Sequence, residues 1–170
     1  MNRVLTAVIG FLLIVVTLVS GSGIVYLTMS AGSSVVLYIG PAVVNANVGE
    51  SIVVTVNIAN VRDLGKWNMS ISWDPSIIEL DQSGSDAVVE GPFLRSSNAL
   101  TKFSFDNYVG GSGFLSGVSC YILVAKGASG SGSLLQLRFK AIKEGGTSIT
   151  MNNAKLYDYL GRVMIPAPTI

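Results

Sequence analysis

The chain has 170 residues, enough for one domain with a substantial core, and its 11 Lys and Arg against 10 Asp and Glu leave a net charge of +1. That balance gives no electrostatic footprint for nucleic acid. Histidine is absent and Cys120 is the single cysteine. This excludes Ser-His-Asp and Cys-His triads, an imidazole general base, a His-containing zinc site, an intramolecular disulfide and a thiolate metal cluster. No cofactor is expected.

The elements follow in chain order. Arg3 is the only charged side chain before Glu50, and residues 4–19 are almost all apolar. A short positive start followed by an apolar run has the form of a secretory signal. Small residues at Ser20-Gly21-Ser22-Gly23 offer a cleavage point, but residues 24–29 are apolar again. Residues 4–29 taken together are long enough, at about 1.5 Å per residue, for a tilted transmembrane helix. Cleaved signal and retained anchor are both open, and either places the remainder outside the cell. The expected division is therefore 1–30 for this hydrophobic helix and 31–170 for the exported domain.

After residue 34 the hydrophobic period is two. Ile52, Val54, Val56 and Ile58 alternate with polar or small residues, as do Trp67, Met69, Ile71 and Trp73. Phe103 and Phe105, then Leu135, Leu137, Phe139 and Ala141, then Ile149 and Met151 repeat the pattern. Each run predicts a strand with one face in a core and one in water. Breaks are expected at Gly40-Pro41, Val48-Gly49-Glu50, Asp63-Leu64-Gly65, Asp74-Pro75, Gly110-Gly111, residues 127–132, Gly145-Gly146 and Leu160-Gly161. Such spacing predicts an all-β sandwich or jelly roll. Cys120 falls in an apolar run and is expected as a buried core thiol.

The order of segments resembles the cohesin family. The first half carries Val48-Gly49-Glu50, then Asn60 to Trp67, then Ser70-Ile71-Ser72-Trp73-Asp74-Pro75-Ser76-Ile77-Ile78-Glu79-Leu80. The second carries Glu90-Gly91-Pro92-Phe93-Leu94, then Gly130 to Lys140, Gly146-Thr147-Ser148-Ile149, Leu156-Tyr157-Asp158 and Ile165-Pro166. The resemblance spans about residues 35–166. It implies an antiparallel jelly-roll sandwich of about nine strands and a non-catalytic module that binds a dockerin-type protein through one exposed sheet face. A polysaccharide is the other partner considered. The chain has no D-x-[DN]-x-[DN]-G calcium loop of its own.

Candidate sites follow from the outward positions. If the strands near Asn68, Lys102 and Ser119 share a sheet, as the family pattern implies, the partner-binding set is Asn68, Ser70, Ser72, Lys102, Ser104, Asp106, Ser119 and Tyr121. Asn68-Met69-Ser70 is a glycosylation sequon whose Asn is expected to face solvent. Trp67 and Trp73 lie on the inward side and read as core, not as a sugar platform. Asp63 and Asp74 read as turn residues. Glycoside hydrolysis would need two carboxylates flanking one bond. Glu79, Asp81 and Glu90 are the candidates, against a bland reading as solvated acids. Calcium at Asp106-Asn107 or residues 81–86 is likewise set against ordinary loop acids.

A second reading is structural. The uncharged stretch 24–48 could leave its domain and complete a neighbour's sheet, with residues 35–39 as donor strand, giving a self-assembling surface filament or layer.

Overall fold

The computed structural model describes residues 34–83, 86–97, 99–106, 108–123 and 126–164. The N-terminal apolar segment and its expected helix lie outside them. Among the described residues no helix is long and apolar enough to cross a membrane, and the helical structure is a 3-10 turn at Arg95–Ser97.

The strands are β1 (Val36–Gly40), β2 (Ser51–Ser72), β3 (Ile78–Leu80), β4 (Val88–Glu90), β5 (Thr101–Ser104), β6 (Phe114–Ile122), β7 (Ala128–Ala141), β8 (Thr150–Asp158) and β9 (Val163–Met164). All the pairings are antiparallel. They form two layers that share one strand. In the front layer, residues 51–64 of β2 lie between β1 and β7, and β3 and β4 add to the far side of β7. In the back layer, residues 64–72 of β2 lie between β8 and β6, with β9 beyond β8 and β5 beyond β6.

The continuity of β2 corrects the expected break at Asp63-Leu64-Gly65. Asn60 and Asp63 do adopt left-handed conformations, φ 59° and 61°, which Asn and Asp tolerate better than most residues. The chain bends there without losing its partners. The Asn60 and Asp63 N–H groups donate to the Ser131 and Ser129 hydroxyls at 3.1 and 2.9 Å. Asp63 Oδ1 accepts from the Gly127 N–H at 3.1 Å, and its carbonyl accepts from the Tyr159 N–H at 3.2 Å. Gly65 then passes so close to β8 that a Cβ there would lie 2.4 Å from Tyr159 Cα. The small residues at 127–132, expected as a break, are for the same reason the start of β7, which follows the corner of β2 through shifts of register.

The alternation holds on the inside. Val54, Val56 and Ile58 from the front half of β2, and Trp67, Met69 and Ile71 from the back half, are at most 3% exposed. Leu135, Leu137 and Phe139 of β7 face Leu115, Val118 and Cys120 of β6 and Leu156 of β8 within one core. Trp73 meets Phe139 edge to face, ring centres 5.0 Å apart. Burying each large apolar side chain contributes about 1.5–3 kcal/mol. Phe105 differs from expectation: it lies beyond the end of β5 and is exposed.

Residues 35–39, expected as a donor strand, serve their own domain. Val36–Gly40 pairs with β2, and Leu37 is buried in the core. Asp74-Pro75 is the expected turn: Asp74 Oδ1 accepts from the Ser76 N–H and hydroxyl at 2.8 and 2.7 Å.

Candidate partner-binding face

The register of the back layer assembles the outward face row by row. The first row runs Lys102, Tyr121, Lys66, Tyr157, Val163 across β5, β6, β2, β8 and β9. The second is Ser104, Ser119, Asn68, Lys155. The third centres on Ser70 opposite Asn152, and the fourth is Phe114, Ser72, Thr150. The assumption that the strands near Asn68, Lys102 and Ser119 share a sheet therefore holds. Asn68, Ser70, Ser72, Lys102, Ser104, Ser119 and Tyr121 occupy one face.

Asp106 lies past the end of β5 and reaches the same face by a different route. Between Leu115 and Val118, β6 carries one residue more than β2, so Ser116 and Gly117 bulge opposite Ser70. Gly117 takes φ 63°, and a Cβ on it would sit 2.4 Å from Asp106 Oδ1. Only glycine leaves that space. Ser116 Oγ donates to Asp106 Oδ2 at 2.6 Å, and the Asp106 N–H donates to the Ser116 carbonyl at 3.1 Å. A second register shift on β8, between Lys155 and Asn152, flanks Ser70 from the other side, with Asn153 at φ 52°. Ser70 is thus framed by an irregularity on both neighbouring strands.

The middle of the face is hydroxyl and amide. The Ser104 and Ser119 hydroxyls hydrogen-bond at 3.1 Å, and Asn152 Nδ2 donates to Ser72 Oγ at 2.9 Å. Asn68 Oδ1 is covered and accepts no hydrogen bond. Asn68 is therefore half-buried, not freely exposed as expected for the sequon. Lys66 Nζ stands 5.5 Å from the centre of the Tyr157 ring, close enough for a cation–π contact.

Lys66, Phe114, Ser116, Asn152, Lys155 and Tyr157 are absent from the expected set. Lys66 was legible, since it continues the Asn68, Ser70, Ser72 series by two residues. Asn152, Lys155 and Tyr157 were not, because nothing local records which strand lies beside β2.

The remaining candidates have other roles. Asp81 accepts from the Ser51 and Ser83 hydroxyls and the Ser83 N–H, which hold its carboxyl down at about 2. Glu90 accepts from Thr101 Oγ1 at 2.8 Å and from Cys120 Sγ at 3.4 Å, and pairs with Arg95 at 3.6 Å. Asp81 and Glu90 are thus bound to separate groups and do not form a carboxylate pair, and Glu79 borders the same shallow pocket as Asp81, whose oxygens are taken by Ser51 and Ser83. Burial, then the neighbouring Glu90 charge, pushes the Cys120 thiol up to about 12, so it stays protonated and unreactive. No cluster of three metal-ligating side chains occurs among the described residues.

Comparison with known proteins agrees with this architecture. The cohesin domain family matches residues 40–165. No curated protein sequence matches the chain. Among solved structures, a non-cellulosomal cohesin from the hyperthermophilic archaeon Archaeoglobus fulgidus is 22% identical, with a TM-score of 0.57 over 78% of this chain and 84% of that one. The second type II cohesin module of the adaptor ScaA scaffoldin of Acetivibrio cellulolyticus is 16% identical, TM-score 0.64, over 84% and 94%. A type I cohesin–dockerin complex from Clostridium thermocellum gives 16%, 0.60, 81% and 95%. At these identities the likeness to solved structures is one of fold. The family match covers most of the sequence, and its members are non-catalytic binding modules: the chain belongs to the cohesin family.

Proposed function

We propose that this domain is a docking module that holds a dockerin-type protein on the outer face of β8, β2, β6 and β5, displayed outside the cell by the apolar N-terminal segment. The observation that carries the reading is the face itself. Seven of the residues expected from outward alternation lie on adjacent strands, and Asp106 is fastened beside them by Ser116. The Ser70, Ser104 and Ser119 hydroxyls at its centre can each donate and accept, and Tyr121 and Phe114 add apolar area near two corners. Similar solved cohesins occur in complexes with dockerins, which supports a protein partner.

A polysaccharide finds less here. Among the aromatic rings of the face, Lys66 lies over Tyr157, and Tyr121 and Phe114 stand in the first and fourth rows, so they do not form one continuous stacking platform. The inward Trp67 and Trp73 are out of reach.

The test is a blocked face. Ser119→Trp fills its middle, and Thr55→Trp, outward on the front layer, is the control. Retention of extracellular proteins by the full chain should be lost with Ser119→Trp and kept with Thr55→Trp, both variants remaining folded. Equal retention by both variants refutes the reading.

A further inference from the structure

The back face has a charge pattern that the chain's overall balance does not explain. Lys66, Lys102 and Lys155 come from β2, β5 and β8, yet meet at one end of the face. Lys102 and Lys66 flank Tyr121 in the first row, and Lys155 stands beside Asn68 in the second. All three are exposed. None forms an ion pair among the described residues, whereas Arg95 and Arg162 are each matched to a carboxylate, Glu90 and Asp158. Among the described residues the one acid on the face, Asp106, belongs to the third row, beside the bulge. In a chain of net charge +1, this is a local concentration. Like charges gathered on one sheet face repel each other, and an arriving group of opposite sign removes that cost.

Resting on the reading of this face as the docking surface, we propose that the partner is a protein presenting an acidic segment to the Lys66, Lys102 and Lys155 end, with Asp106 marking the end where a partner cation or hydrogen-bond donor belongs. The two ends then carry opposite signs, so electrostatics admits one docking orientation and penalises the reverse. Charge complementarity of this kind acts mainly on encounter rate and on rejection of wrong partners. Three lysines without a companion arginine make a poor nucleic-acid site, where bidentate base and phosphate contacts favour arginine.

The experiment uses the full chain in neutral detergent, immobilised in three forms: parent, Lys66→Glu/Lys102→Glu/Lys155→Glu, and Ser70→Tyr, which blocks the face without changing its charge. The probe is the extracellular protein fraction of the source organism, with and without nuclease. A protein retained by the parent is then purified and its association rate measured at low and high salt. The proposal expects loss of retention with both variants, and an association rate that falls by roughly tenfold or more for the triple variant and steeply with salt. Retention unchanged by the lysine reversal but lost with Ser70→Tyr overturns the acidic-partner inference and leaves the docking face standing. Retention unchanged by either variant, or no protein retained by the parent, overturns both. Retention that nuclease abolishes shows a nucleic acid, not an acidic protein, at the lysine end and overturns the proposal.

Discussion

The two halves of β2 bury the same kind of side chain and display different ones. Inward, Val54, Val56 and Ile58 on the front half match Trp67, Met69 and Ile71 on the back half in burial. Outward, the front half shows Val53, Thr55 and Asn57 beside Gln136 and Arg138 of β7, and at the edge Lys140 pairs across to Glu79 of β3. There an acid and a base are direct cross-strand neighbours. The back half shows Lys66, Asn68, Ser70 and Ser72, with lysines that have no such partner. The inner sides are fixed by the need to fill a common core, and the outer sides are where two faces of one sandwich can come to do different things.

That contrast breaks most visibly from the inside. Trp67→Ala should cost about 3–5 kcal/mol by urea unfolding, and Ile58→Ala on the other half about 2–5 kcal/mol. A cost below about 1 kcal/mol for either would mean the halves do not share one core. The corner comes next. Gly65→Ala drives a Cβ into the backbone at Tyr159 and should destabilise by about 1–3 kcal/mol; an unchanged melting temperature would show that β2 and β8 are not so tightly apposed.

Acid sharpens the comparison, because each layer carries one buried carboxylate that is held down, beside the exposed Glu50 and Asp74, which are lowered too. On the front edge Asp81 stands at about 2 against an ordinary 3.8, through the Ser51 and Ser83 hydroxyls. On the back, burial alone would raise Asp158, but the Arg162 N–H and guanidinium outweigh it and hold it low. Both contributions are complete above the ordinary carboxylate pKa and are lost as pH falls through the lowered one. Urea midpoints should therefore fall between about pH 5 and about pH 2. Ser51→Ala/Ser83→Ala should flatten the part due to Asp81 and leave the part due to Asp158; an unaltered profile would remove Asp81 from the account. The smallest effects belong to the outer sides. Thr55→Ala gives up a hydroxyl that donates to the Gly40 carbonyl at 3.2 Å and should cost about 0.5–1.5 kcal/mol, whereas Ser70→Ala should leave stability within about 0.5 kcal/mol; a larger loss at Ser70 would mean that it supports the flanking bulges instead of facing a partner.

The inner architecture was legible because odd-even alternation is a local signal, and Trp67, Ile71, Leu137 and Phe139 all lie where it puts them. The corner was not. Asn60, Asp63 and the glycines near 130 do bend the chain as turn residues bend it, but Ser129, Ser131 and Gly127 lie dozens of residues away and keep the hydrogen bonds intact. The face was half legible for the same reason. Ser70 and Ser72 follow from alternation along one strand, whereas Lys155 beside Asn68 and the Gly117 notch that receives Asp106 depend on register between distant segments.

The unbroken passage of β2 from one layer to the other has a mechanical meaning. A tug on whatever sits against Asn68 and Ser70 enters a backbone that continues, without a loop to stretch, into the ladder with β7 and β1. Those ladder bonds lie across the strand, so tension along it strains many of them together instead of unzipping them singly. A domain wired in this way passes force through its own spine.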